Sequence, residues 1–207
     1  MSVADYMSTH LVIASPQTTV SAAIALMKDN QIHRLPVLDG NRLVGLITQG
    51  IIGRALPSQA TSLSVYETNY ILTQTTVATI MEKHVQTIAA TAQLEEAIYQ
   101  MRQHQIGVLP VTRETRVVGI ITNNDILEAF LNISGYGEPG IVCRVRVTHD
   151  RPGVIFAIGK VLAEHHLSIQ TLMVVRDQQA RVIELHIASD QAAPVTQVLT
   201  AAGFTVV

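Results

Sequence analysis

Gly119-Ile120-Ile121-Thr122-Asn123-Asn124-Asp125 is the stretch whose reading decides the rest of the chain. Its apolar run predicts a buried strand over 117–122 that leaves through two asparagines into a helix starting near Asp125. A small apolar strand ending in a hydroxyl, with a carboxylate three residues on, can bury a flat ligand and grip a sugar. The same spacing has a plainer use. Asp125 can be the N-cap of the helix, worth about 0.5–2 kcal/mol without any ligand, and Thr122 can serve the same turn.

The stretch has a copy upstream, Gly45-Leu46-Ile47-Thr48-Gln49-Gly50-Ile51. Under the 74-residue shift that relates them, residues 3–56 align with 77–130 without a gap, and 19 of those 54 positions are identical. Leu35-Pro36-Val37 meets Leu109-Pro110-Val111, Met7 meets Met81 and His10 meets His84. An ungapped match of that density is a duplication. Each copy predicts a helix capped by Thr18 or Thr19 in the first, with an apolar face of Val20, Ala23, Ile24 and Met27; the second offers Leu94, Ala97, Ile98 and Met101. A strand (34–38 or 108–112), a turn such as Asp39-Gly40-Asn41, and a second strand (43–48 or 117–122) follow. The second strand is continuously apolar, so burial on both faces is expected. A helix from about Ile51 or Asp125 closes each unit. Between the copies, residues 57–76 read as a polar start and a short connector helix through Tyr66, Tyr70 and Ile71, capped by Ser62 or Ser64. That helix packs on the pair, or its tyrosines touch a ligand or partner.

Composition narrows the function classes. Hydrophobic residues make up 48% of the 207 and charged ones 14%, ample material for cores and for an apolar surface covered by another subunit. Aromatics are 4%, with no Trp, and the net charge is -2 with no basic run, which argues against nucleic acid and anionic membrane as partners. The single Cys143 excludes an internal disulfide and a Cys-based zinc site. No apolar run reaches the roughly 18 residues a membrane span needs, and no signal pattern opens the chain; a cytoplasmic protein is expected.

Met7, the Val20-x-x-Ala23 helix start, Leu35-Pro36-Val37, Gly45-Leu46-Ile47-Thr48 and their partners in copy two resemble the CBS domain, and the tandem resembles a Bateman module. The diagnostic family pattern is Gly, two aliphatics, Ser or Thr, two variable residues, then Asp. Copy two matches it fully; copy one has Ile51 in place of the Asp. The resemblance implies two clefts about a pseudo-twofold axis. Cleft one would join Thr122 and Asp125 to Val12, Ile32, His33 and Arg34, as an adenine-nucleotide site. Cleft two would join Thr48 and Ile51 to Gln86, Ile106, Gly107 and Val108, without the carboxylate and the basic pair, and is expected to be degenerate. A carboxylate can accept both ribose hydroxyls through charge-assisted bonds, and Arg suits phosphate. His33-Arg34 could equally be a solvated loop or a dimer contact, and His10 and His84 read as core or interface rather than metal ligands.

Residues 134–140, Ser-Gly-Tyr-Gly-Glu-Pro-Gly, break periodicity and read as a hinge. Beyond it, Ile141, Cys143, Val145 and Val147 alternate with Val142, Arg144, Arg146 and Thr148, a strand with one buried face and an inert core thiol. Asp150-Arg151-Pro152-Gly153 then opens a helix bearing Val154, Ala157, Ile158, Val161 and Leu162, with Asp150 as cap and Pro152 in the first turn. His165-His166 suits its C-terminal dipole. Strands over 168–176 and 180–188, a helix over 193–202 and a strand over 205–207 complete a βαββαβ order. This half resembles an ACT domain, which implies a small-molecule site, often for an amino acid, at Asp150, Arg151, Pro152, Gly153 and Ser168. That family often has Asn where this chain has Ser168, and the other reading is an ACT fold used only for dimerisation.

The expected architecture is thus mixed α+β and α/β: CBS repeat 1 (1–56), a connector (57–76), CBS repeat 2 (77–133), the hinge (134–140) and a ferredoxin-like ACT domain (141–207). The whole resembles CBS–ACT proteins of the acetoin-utilisation type. It implies a non-catalytic homodimeric regulator of an unidentified protein. No cofactor is required; an adenosyl ligand of the AMP, ATP, NAD or S-adenosylmethionine class serves as regulatory ligand. The other reading is a ligand-free dimeric adaptor. Catalysis finds no support in a Cys/His or Ser/His/Asp set or a P-loop.

Overall fold

Thr19 Oγ1 accepts the Ala22 N–H at 3.2 Å and so starts helix α1 (Val20–Asp29), whose Val20, Ala23 and Met27 are buried while Ile24 stays exposed. In this computed structural model, which describes residues 1–55, 65–148, 151–177 and 180–207, α1 leads into an antiparallel hairpin, β1 (Arg34–Asp39) and β2 (Arg42–Thr48). The turn places Gly40 at φ +60°, a conformation that favours glycine. Helix α2 (Gln49–Ala55) follows, and α3 (Val65–Gln74) turns Leu72 toward the copy-one core while Tyr66, Tyr70 and Ile71 are exposed. The proposed caps Ser62 and Ser64 lie outside the described residues. Copy two repeats the plan with α4 (Val77–Ile80), β3 (Ile88–Ala89), α5 (Leu94–His104), β4 (Val108–Arg113), β5 (Arg116–Thr122) and α6 (Asn123–Ser134). The chain forms two compact units, 1–126 and 127–207, whose boundary falls inside α6.

The two copies exchange their first residues. Val3 and Ala4 donate their N–H groups to Ala92 O and Ala90 O (2.8 and 3.0 Å), and Ser8 pairs with Ile120 of β5 in both directions. The reciprocal segment of copy two does the same on copy one: Val77 N–H reaches Thr18 O at 2.8 Å, and Glu82 pairs with Leu46 of β2. Val77 is consequently a core member of copy one. Gly45 and Gly119 exist for this exchange. A Cβ on Gly119 would lie 2.6 Å from Met7 Sδ and 2.9 Å from Ser8 O, and one on Gly45 would collide with Met81. After Ser8 the chain returns to its own copy, where Ala14 N–H donates to Pro36 O at 3.0 Å. Residues 9–13 therefore cross from β5 of copy two to β1 of copy one.

Two expectations change here. The closing helices begin at Gln49 and Asn123, two residues earlier than the spacing suggests, because Thr48 and Thr122 occupy the cap positions and Asp125 sits one turn in. Asp125 is therefore not the N-cap. Burial of the second strand is also uneven: Gly119 and Ile121 are buried, but Ile120 is only half-buried.

The second unit contains β6 (Ile141–Val147), α7 (Val154–Glu164), β7 (Ile169–Asp177), β8 (Ala180–Ile187), α8 (Ala192–Ala201) and β9 (Thr205–Val206), with sheet order β7-β8-β6-β9. Alternation on β6 holds, with Cys143, Val145 and Val147 inward against Ile158, Leu162, Leu185, Val195 and Leu199. Burial pushes the Cys143 thiol above its ordinary range, as an unreactive core thiol requires. Helix α7 is preceded by Gly153 at φ +90° as its cap residue, so Pro152 lies before the helix rather than in its first turn. Asp150 lies outside the described residues. Leu162 is fully buried, and Leu162→Ala is expected to cost about 2–5 kcal/mol, read as a lower urea midpoint for this unit. The stretch 134–140 lies against β8: a Cβ on Gly135 would fall 2.6 Å from the buried His186 Nδ1, and one on Gly140 2.6 Å from Ile187 O. Among the described residues, no helix is long and apolar enough to cross a membrane.

Candidate functional site

Val12, Ile32, His33, Arg34, Thr122 and Asp125 border one cavity of about 280 Å³, together with His10, Ile120 and Asn124. The exchange of N-terminal segments is what assembles it. Val12 arrives on the 9–13 crossing, Ile32 to Arg34 enter β1, Thr122 ends β5, and Asp125 stands in the first turn of α6. The volume lies just below the roughly 300–1,000 Å³ usual for ligand pockets.

Thr122 and Asp125 are locked together. Asp125 Oδ2 accepts the Thr122 N–H at 2.6 Å and its hydroxyl at 2.7 Å, while Asp125 N–H points back to Thr122 Oγ1 at 3.4 Å. This is a capping box with Asp in the return position. It occupies Oδ2 and leaves Oδ1 without a partner among the described residues. In copy one, Ile51 N–H donates to Thr48 Oγ1 at 3.1 Å, but Ile51 returns nothing and packs on the copy-one core.

Arg34 is half-buried. Burial lowers its pKa and the neighbouring charge of Asp125 pulls it back up. Its guanidinium passes beside Gly107, where a Cβ would come within 3.6 Å of Nη2. Neither Arg34 nor His33 forms an ion pair with another described residue. A half-buried cation whose opposing charge, Asp125, lies beyond ion-pair distance still favours an incoming anion.

The proposed members of the second cleft do not share either of the two cavities described in this unit. Ile106 and Gly107 border a different hollow of about 330 Å³ beside Arg102, Asn123 and Ile126 of their own copy, and Val108 is buried. Thr48, Ile51 and Gln86 border neither cavity. The relation of His33 to Gly107 under the 74-residue shift carried the missed signal: copy two has no side chain where Arg34 needs room.

His10 and His84 are exposed rather than core residues, and His10 borders the first cavity. Among the described residues, no group of three or more His, Cys, Asp or Glu could hold a metal ion. In the second unit, Arg151 and Gly153 border a hollow of about 170 Å³ with Val154, Phe156 and Arg181. Pro152 and Ser168 do not border it; both are exposed, and Ser168 O accepts the Ala188 N–H at 2.9 Å.

The CBS-domain family model matches residues 3–58 and 77–132, and the ACT-domain model matches 141–204. The chain belongs to the CBS-domain family. Its CBS pair is followed by an ACT domain. The CBS domain-containing protein YhcV of Bacillus subtilis is 30% identical over 125 residues, 60% of this chain and 82% of that protein. AcuB of Vibrio cholerae, assigned to acetoin utilization, superposes with a TM-score of 0.56 at 28% identity, covering 67% of this chain and 96% of that one. CBSX2, solved in complex with AMP, gives a TM-score of 0.55 at 25% identity, covering 64% of this chain and 97% of its own.

Proposed function

We propose that this CBS–ACT protein is a non-catalytic regulator that binds an adenine nucleotide in the Thr122–Asp125 cavity. The observation that carries the reading is that one cavity is bordered both by Asp125, whose Oδ1 has no hydrogen-bond partner among the described residues, and by the half-buried Arg34, which forms no ion pair with a described residue. Ile32, Val12 and Ile120 supply aliphatic walls for a base. Asp125 Oδ1 would take ribose hydroxyls, and Arg34 with His33 would take phosphate. The AMP complex of CBSX2 supports the ligand class, and AcuB supports a role connected with acetoin utilisation. In this reading the protein is a cytoplasmic homodimer. Occupancy shifts the dimer between states with different affinity for a regulated protein, and the hollow at Arg151 and Gly153 takes a small metabolite.

A ligand-free dimeric adaptor is the second reading, and one observation favours it. Thr122 and Asp125 already satisfy each other, so the helix start is complete without a nucleotide. Thermal melting of the full chain against AMP, ADP, ATP, NAD and S-adenosylmethionine separates the two. A ligand at a hundredfold excess over Kd adds about 2.7 kcal/mol, a shift of roughly 5–10 °C for a chain of this size. Flat curves across the panel would remove the sensor reading in favour of the adaptor.

A further inference from the structure

Four titratable side chains border the cavity: His10, His33, Arg34 and Asp125. Arg34 and Asp125 offset one another, so with both imidazoles neutral the cavity carries no net charge. A phosphate monoester brings a charge of about −1.5 to −2 at pH 7. Neutralising that charge requires cations that the resting cavity lacks, and the two histidines are the groups that can supply them. Imidazole is the side chain that ordinarily changes charge between pH 5 and 8, and a neighbouring anion favours its protonated form.

His10 is well placed for this. It lies on the 9–13 crossing, between the Ser8–Ile120 pairing and the Ala14–Val37 pairing. Both ends of its segment are therefore fixed by backbone hydrogen bonds while its side chain remains exposed. Its repeat partner His84 is equally exposed but does not border the cavity. The duplication has left one of two matching histidines at the cavity.

We propose that His10 is a specificity-determining residue of this cavity, which with His33 takes up protons as a nucleoside monophosphate binds and so favours phosphorylated over uncharged adenosyl ligands. The proposal rests on the nucleotide reading of the cavity. By linkage, such a site binds the monophosphate more tightly as pH falls toward the imidazole range, provided the phosphate stays doubly ionised. An uncharged adenosine makes no such demand and binds without proton uptake.

Calorimetric titration of the full chain with AMP and with adenosine, at pH 7.5 in two buffers of different protonation enthalpy, reads the protons directly. At that pH AMP is already mostly doubly ionised, since its second pKa is near 6. The expected result is uptake of roughly half to one proton per AMP, none for adenosine, about half of the AMP value in His10→Gln, and an unchanged value in His84→Gln. AMP binding that depends on Asp125 but shows no uptake, or the same uptake in His10→Gln, overturns the proposal and leaves the nucleotide site standing. No binding of either ligand overturns both.

Discussion

Asp125→Ala is expected to erase the 5–10 °C rise in melting temperature that an adenine nucleotide gives the wild-type chain. The substitution also acts without ligand, because Oδ2 accepts two bonds from Thr122. Losing that half of the capping box costs about 0.5–2 kcal/mol, so the free variant melts a few degrees lower. The two effects separate in Asp125→Asn. Asn keeps a carbonyl acceptor for Thr122 and most of the cap, but gives up the charge that strengthens a bond to ribose. Asp125→Asn should therefore melt close to wild type when free and still lose most of the ligand shift. A full ligand shift in Asp125→Asn would show that the carboxylate is not the sugar contact, and would return Thr122 and Asp125 to a purely structural role.

How far the sequence reaches is clear from the same residues. The Gly119–Asp125 stretch and its copy at 45–51 have a local signal, a strand that runs into a capped helix, so element order follows from patterning, whereas the register shifts at Val37/Leu38 and Val111/Thr112 do not. Six cavity residues, Val12, Ile32, His33, Arg34, Thr122 and Asp125, were named through the resemblance to the CBS family rather than through spacing, since the other copy has Gln86, Gly107, Val108 and Ile51 at the matching places of four of them. What patterning does not encode is which copy a segment packs upon. The pairing of Ser8 with Ile120 and of Glu82 with Leu46 joins residues far apart in the chain, and nothing in the local periodicity of either segment announces it. His10 was missed for that reason. Its exposure and place at the cavity arise from the crossing between copies, whereas a histidine repeated at 10 and 84 reads by itself as a packing residue. Asp125 shows the complementary limit. Its spacing from Thr122 was plain, but its place inside the helix depended on which of the two residues took the cap.

Gly119→Ala is expected to have the second large effect, and on both stability and binding. A Cβ at that position meets Met7 Sδ at 2.6 Å and the Ser8 carbonyl oxygen at 2.9 Å. The thioether can rotate away, but the carbonyl belongs to the backbone that pairs with Ile120. Relief must come from moving the exchanged segment off β5, an overpacking cost of about 1–3 kcal/mol. That movement carries Ser8 and the 9–13 crossing with it, and so displaces His10 and Val12 from the cavity wall they share with Thr122 and Asp125. The variant should therefore melt lower and show a weaker nucleotide shift, although residue 119 borders no part of the cavity. Gly45→Ala supplies the control, since it strains the matching contact with Met81 on copy one while leaving Ser8, His10 and Val12 where they are. Comparable destabilisation in the two variants, with the ligand shift impaired only in Gly119→Ala, is the expected pattern in paired melting curves with and without AMP. Equal ligand shifts in both would mean that the exchanged N-terminal segment does not hold the binding wall in place.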